Sequence, residues 1–227
     1  MRPIEPQLRE LFDKIVLMGS TAETMIRTAT RALVERKEAL IEEVYRAEQQ
    51  VNQLQMEVDE AAVRITALHQ PVATDVRFLF MASRICTELE RIGDQAINIC
   101  QNTRHVLAAP PLKPLVDLPV MAEVTQKMLR DSLTAMTHRD CMLADVVLKE
   151  DETVDAFRDQ IFRSLLTYMM ADTSTIQRAL SLILIARNIE RIGDHATNVA
   201  EEVIYWVKGK DVRHSGLHEP VSEQMKE

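Results

Sequence analysis

Apolar residues recur along this chain at intervals of three and four, the spacing of one face of an α-helix. Leu8, Leu11, Phe12, Ile15, Val16 and Met18 mark a first helix that begins near Pro6, and Gly19 continues the stripe. Val51, Leu54, Val58, Ala61, Ala62, Ile65 and Leu68 mark a second. Ile85, Cys86, Leu89, Ile92, Gly93, Ala96 and Cys100 mark a third. The pattern predicts three more helices over about 120–137, 141–171 and 174–208. Each helix has one stripe and short connections, so neighbours pack antiparallel. At roughly 30 residues such a helix is ~45 Å long.

The second three repeat the first. Residues 89–98 read LERIGDQAIN and residues 189–198 read IERIGDHATN, with eight of ten positions identical or nearly so in kind. Upstream the offset grows from 100 to 103, placing Met128 over Met25 and Val154 over Val51. A match that continues over most of each half is a duplication. Between the halves, Pro110, Pro111, Pro114 and Pro119 interrupt any helix. The expected architecture is therefore all-α: two tandem three-helix bundles over 1–107 and 118–212, a Pro-rich connector over 108–117 and a flexible tail over 213–227.

Composition narrows the class further. Five glycines and nine aromatic residues in 227 leave too little of what turns and strands need. A net charge of −8 with no basic cluster speaks against a nucleic-acid partner. No apolar run approaches the ~18 residues of a membrane span, and MRPIEPQLRE carries no hydrophobic leader. Cys86, Cys100 and Cys141 form no CxxC pair, which fits thiols used as small core residues in a reducing interior. A cytoplasmic protein is expected. Twelve methionines, among them Met25, Met128, Met169 and Met170, are expected to fill gaps in the core.

Candidate chemistry lies in the repeated segment. Glu90 and Asp94 stand four residues apart on one helical face, with Asn98 a turn further on; Glu190, Asp194 and Asn198 do the same. The stripe borders the apolar arc, so these carboxylates sit at the edge of a helix–helix seam. Gly93 and Gly193 fall inside that arc and predict close approach of a neighbouring helix. Like charges at this spacing repel, and two things can offset them. One is an arginine from the next helix, with Arg64, Arg84 and Arg163 available. The other is a cation held by oxygen ligands, hard ions such as Mg²⁺, Ca²⁺ or Mn²⁺, or carboxylate-bound iron. Asp155 and Asp159 form another such pair and Asp131 is a further candidate ligand. Thr28 and Asn52 stand where the second half has Asp131 and Asp155, so the C-terminal site should bind a cation more strongly. No Glu-x-x-His pair accompanies the carboxylates, and no phosphate-binding loop, HExxH or GxSxG is present. His195 reads as a solvated surface residue.

Both ERIGD segments, HQPVATDVR at 69–77, TYMMADTSTI at 167–176 and RNIERIGDHATNVAEEVIYWVKGKDVRH at 187–214 together resemble the PhoU family, accessory regulators of the bacterial phosphate-specific transport system. The resemblance implies two similar three-helix bundles and a cytoplasmic, often dimeric protein. It implies an adaptor between the ATPase subunit of the phosphate ABC transporter and a phosphate-sensing histidine kinase, holding the starvation response off. Such a protein is not an enzyme and meets the membrane only through its partners. The resemblance also implies a divalent or iron cation in E(D)xxxD motifs, matched by Glu90/Asp94, Glu190/Asp194 and Asp155/Asp159. Gln55 and Thr28 depart from the acidic residues that relatives can carry. The alternative is a carboxylate metalloprotein with enzymatic activity.

Overall fold

The computed structural model describes residues 4–210 and 212, so the predicted tail over 213–227 lies outside the described residues. Six helices follow in order: α1 Glu5–Val34, α2 Ala39–His69, α3 Ala73–Leu107, α4 Asp117–His138, α5 Cys141–Ala171 and α6 Ile176–Lys208. All regular structure among the described residues is helical.

Local chemistry sets the boundaries. Pro6 sits in the first turn of α1, where a missing N–H costs nothing. Gln70 takes a left-handed conformation that ends α2 just before Pro71. Arg139, also left-handed, turns the chain between α4 and α5. Asp140 then caps α5, its carboxylate accepting from the amides of Met142 and Leu143. Gly209, at φ +68°, terminates α6 in a geometry a side chain would strain. The connector ends one residue before the expected 108–117, because Asp117 already belongs to α4, whose first turn also holds Pro119.

Helices α1, α2 and α3 pack as one bundle and α4, α5 and α6 as another. The bundles are not beads on a string. Helix α3 lies against α6 along much of their length, and α1 lies against α4. Phe78 meets Trp206 with ring centroids 5.4 Å apart, Arg84 meets Glu202, and Glu88 meets Asn198. These pairings run in opposite directions along the two helices, so α3 and α6 are antiparallel, with Gly93 and Gly193 at one level near the middle. A single buried cluster runs from Leu11 and Met25 through Ile85 and Ile92 to Met128, Ile189 and Val203. Each such side chain withdrawn from water contributes about 1.5–3 kcal/mol.

Gly19 marks the tightest part of the other contact. A Cβ there would stand 2.5 Å from Leu133 Cδ1 on α4. At Gly93 and Gly193 the nearest atoms are side chains at 3.4 and 3.5 Å, ordinary contact. The predicted close approach at the two ERIGD glycines is therefore one of side chain to helix, and the tighter site lies in α1. Met25 and Met128 are fully buried, but Met170 is 79% exposed, because the α5 face that carries it looks outward.

Candidate carboxylate sites

Helix α6 places Glu190 and Asp194 one turn apart on the side facing α5. Across the seam α5 presents Asp151 and Asp155, also one turn apart. Gly193 makes room for this: a Cβ on it would touch Asp151 Oδ1 at 3.5 Å, so the carboxylate lies against bare helix. Burial pushes the Asp151 carboxyl up to about 6, helped by the charges of Asp194, Asp155 and Glu190 and opposed by Arg158. Asp194 is also raised, by burial first and then by Glu190. Three half-buried carboxylates, Asp151, Asp155 and Glu190, thus stand near the more exposed Asp194 along one seam.

Arg158 is the cation that bridges two of them. Its Nη1 donates to Glu190 Oε1 at 2.6 Å and to Asp155 Oδ1 at 2.8 Å. Its other edge, Nε and Nη2, donates to Asp159 Oδ1 at 3.1 and 3.0 Å. Asp159 is exposed and lies on the far side of the guanidinium from the quartet. Asp131 pairs with Lys127 at 3.0 Å, and Lys127 also reaches Glu150. The counter-charges are therefore Arg158 and Lys127. Arg84, one of the three arginines the sequence offered, is bound to Glu202 instead.

The N-terminal bundle repeats the arrangement with one carboxylate fewer. Glu90 and Asp94 on α3 face Glu48 and Asn52 on α2. The Glu90 carboxyl is raised by burial, by Asp94 and by Glu48, against the pull of Arg91 and His195. Asn52 donates its amide to Glu48, while its Oδ1 is buried without a partner. Asn98 accepts a bond from Asn102 at its backbone carbonyl.

Glu88 joins the halves. Its Oε2 bonds His195 Nδ1 and accepts from Asn198 Nδ2, both at 2.8 Å. Burial works to raise this carboxyl, but the bonds from His195 and Asn198 hold it below its ordinary value. His195 is thus a seam residue and not a solvated one, and Asn198 turns to the other bundle. A helical wheel drawn one bundle at a time cannot show this. Glu88→Gln is expected to cost about 1–2 kcal/mol by weakening two charge-assisted bonds. A thermal unfolding midpoint equal to that of the parent would refute it.

Sequence reasoning missed Asp151, Glu48, Glu88 and Arg158. The signal for the first two was present: each precedes Asp155 or Asn52 by one helical turn and is related to the other by the offset of 103. The donors are all oxygen, which suits a hard cation. The unpartnered Asn52 carbonyl and the mutually repelling carboxylates fit that use. Among the described residues no three His, Cys, Asp or Glu side chains are already gathered as a ligand cage. Cys86 and Cys100 are buried, their thiols pushed up to about 12, and act as core.

Known proteins share this plan. The family described as PhoU domain matches the chain twice, at residues 15–103 and 118–203. The chain belongs to the PhoU family. Among its relatives is the phosphate-specific transport system accessory protein PhoU of Escherichia coli K12, 37% identical over 92% of this chain and 87% of that one. The PhoU homolog of Pseudomonas aeruginosa, with the same full description, is 37% identical over 93% of this chain and 88% of its own. The crystal structure of PhoU from P. aeruginosa superposes with a TM-score of 0.87 at 35% identity, covering 91% of this chain and 99% of that one. The two PhoU matches fall on the two bundles and contain both ERIGD segments. No helix of the described residues is long and apolar enough to cross a membrane.

Proposed function

We propose that this chain regulates phosphate uptake as a cytoplasmic adaptor and catalyses no reaction. It connects the ATPase subunit of a phosphate ABC transporter to a phosphate-sensing histidine kinase and keeps the starvation response off when phosphate is plentiful. The observation that carries this reading is membership of the PhoU family over both halves, with relatives described as accessory proteins of phosphate-specific transport.

The outer face of the second bundle supports a protein partner. Phe162, Leu166 and Met170 line α5, and Ile176, Leu180 and Leu184 line α6, all exposed and each set at intervals of four. Antiparallel packing of the two helices brings these stripes side by side, and an apolar patch of this kind marks an interaction surface. A homodimer is part of the same reading. Pull-down from phosphate-replete cells should recover the transporter ATPase or the kinase. Recovery of neither, with deletion leaving phosphate-regulated transcription unchanged, would reject the adaptor.

Within this reading a divalent or iron cation binds at each bundle. Glu190, Asp194, Asp151 and Asp155 would hold it in the second, and Glu90, Asp94, Glu48 and the Asn52 carbonyl in the first. Bound there, it would neutralise repelling carboxylates and tie two helices together. Asp194→Asn is expected to abolish cation uptake by the second bundle and leave helix content intact. Elemental analysis of chelator-free protein, beside a circular dichroism spectrum, checks both parts.

A further inference from the structure

We propose that Arg158 is a built-in counter-cation of the second carboxylate set, and that a divalent ion enters only by displacing its guanidinium onto Asp159. The inference rests on the reading that these carboxylates take a cation, and adds how that occupancy is controlled.

One nitrogen carries the argument. Nη1 of Arg158 lies 2.6 Å from Glu190 Oε1 on α6 and 2.8 Å from Asp155 Oδ1 on α5. These two oxygens, from different helices, converge on a point that already holds positive charge. A divalent ion at the same point would replace a delocalised single charge by a compact double one, and Asp151 and Asp194, which feel the charges of Asp155 and Glu190 from the same seam, would have to close in to complete the shell. The guanidinium and the ion cannot occupy that place together. Cation binding therefore costs two charge-assisted hydrogen bonds.

The arginine also has somewhere to go. Its Nε and Nη2 are already held by Asp159, which is 55% exposed. Arg158, Asp159, Phe162 and Arg187 line an open cleft of about 460 Å³ beside the α5–α6 seam. Rotation of the guanidinium into this cleft keeps its bond to Asp159 while Glu190 and Asp155 are released. Asp159 is accordingly a positioning residue for Arg158.

The first bundle lacks this device. By the offset of 103, Gln55 stands where the second half has Arg158. Among the described residues no lysine or arginine salt-bridges Glu48, Glu90 or Asp94. Its set holds three carboxylates and no guanidinium between them, so an ion enters against only the neutral Asn52 amide on Glu48. The two sites fill in an order opposite to their carboxylate count: the first bundle first, the second when the ion is abundant enough to compete with Arg158.

Calorimetric titration of chelator-treated full chain with Ca²⁺ tests this, using Asp94→Asn as the parent so that only the second set reports. Adding Arg158→Gln should tighten Ca²⁺ binding by at least ~10-fold, as expected for removing a competing charge-assisted contact. Equal affinity of the parent and the Arg158→Gln form would overturn the competition and leave the cation reading standing. No Ca²⁺ binding by either would remove the cation reading from this bundle and the competition with it. A second measurement does not depend on that variant folding. In the unsubstituted chain, saturating Ca²⁺ should shift the Arg158 Nε–H resonance, and an unmoved resonance would defeat the proposal.

Discussion

Gly193→Leu lowers the free energy of unfolding by about 3 kcal/mol, whereas Gly193→Ala leaves it unchanged or raises it by up to ~1 kcal/mol. The contrast follows from the space around one Cβ. At 3.5 Å from both Asp151 Oδ1 and Val154 Cγ1, a methyl group makes ordinary contact, and alanine recovers the helix propensity that glycine forfeits. The three further carbons of leucine have no such room. They enter a seam already filled by Val154 and Met128 and push Asp151 off the helix. Urea unfolding at constant slope separates the two variants. Equal midpoints for parent and leucine forms would mean that the seam is loose and that the glycine has no packing role.

Asp151→Asn stabilises the cation-free protein at pH 8 by about 1–2 kcal/mol. The carboxyl stands near 6 in the fold against an ordinary value of 3.8. A raised carboxyl binds its proton more readily folded than unfolded, so stability from this group increases as pH falls through 6. The gain levels off below about 4, where both states are protonated. Above 6 the fold holds an unwelcome charge. The full linkage figure of about 3 kcal/mol is halved here because the group keeps partial contact with water. Thermal unfolding of both forms in chelator, from pH 4.5 to 8, should show a gap that is widest above 6 and nearly closed at the acid end. Parallel curves would show that Asp151 is not the strained member of the quartet. Glu88 acts in the opposite direction. Its carboxyl is held low, so its contribution is present above the ordinary carboxylate range and is lost as acid protonates it.

The helices were legible because each carries a single stripe at regular spacing, and the duplication because ERIGD stands at the same helical position in both halves. The neighbours of the stripe were not. Asp155 was visible as an acid at helical spacing, but spacing alone does not say whether its partner is Asp151 above or Asp159 below. The α5–α6 register decides that, since it puts Asp151 against Gly193 and turns Asp159 outward. Arg158 escaped notice because a residue next to an acid in sequence reads as solvated charge. Its reach across to Glu190 depends on the length of the arginine side chain and on the distance between two helices. The contacts of His195 and Asn198 are hidden from the sequence for another reason. Their partner, Glu88, belongs to the opposite half.

The antiparallel apposition of α3 and α6 also bears on how such a chain could arise. Each half turns toward the other one face of the helix that carries the repeated segment, with Phe78 on Trp206 and Glu88 on His195 and Asn198, and the two helices fit because they are near copies set antiparallel. A lone half would bare that surface to water, and its readiest cover would be another molecule of itself. Fusing two genes would then have turned a self-associating subunit into one continuous chain, after which each copy was free to diverge, as Asn52 and Asp155 have done.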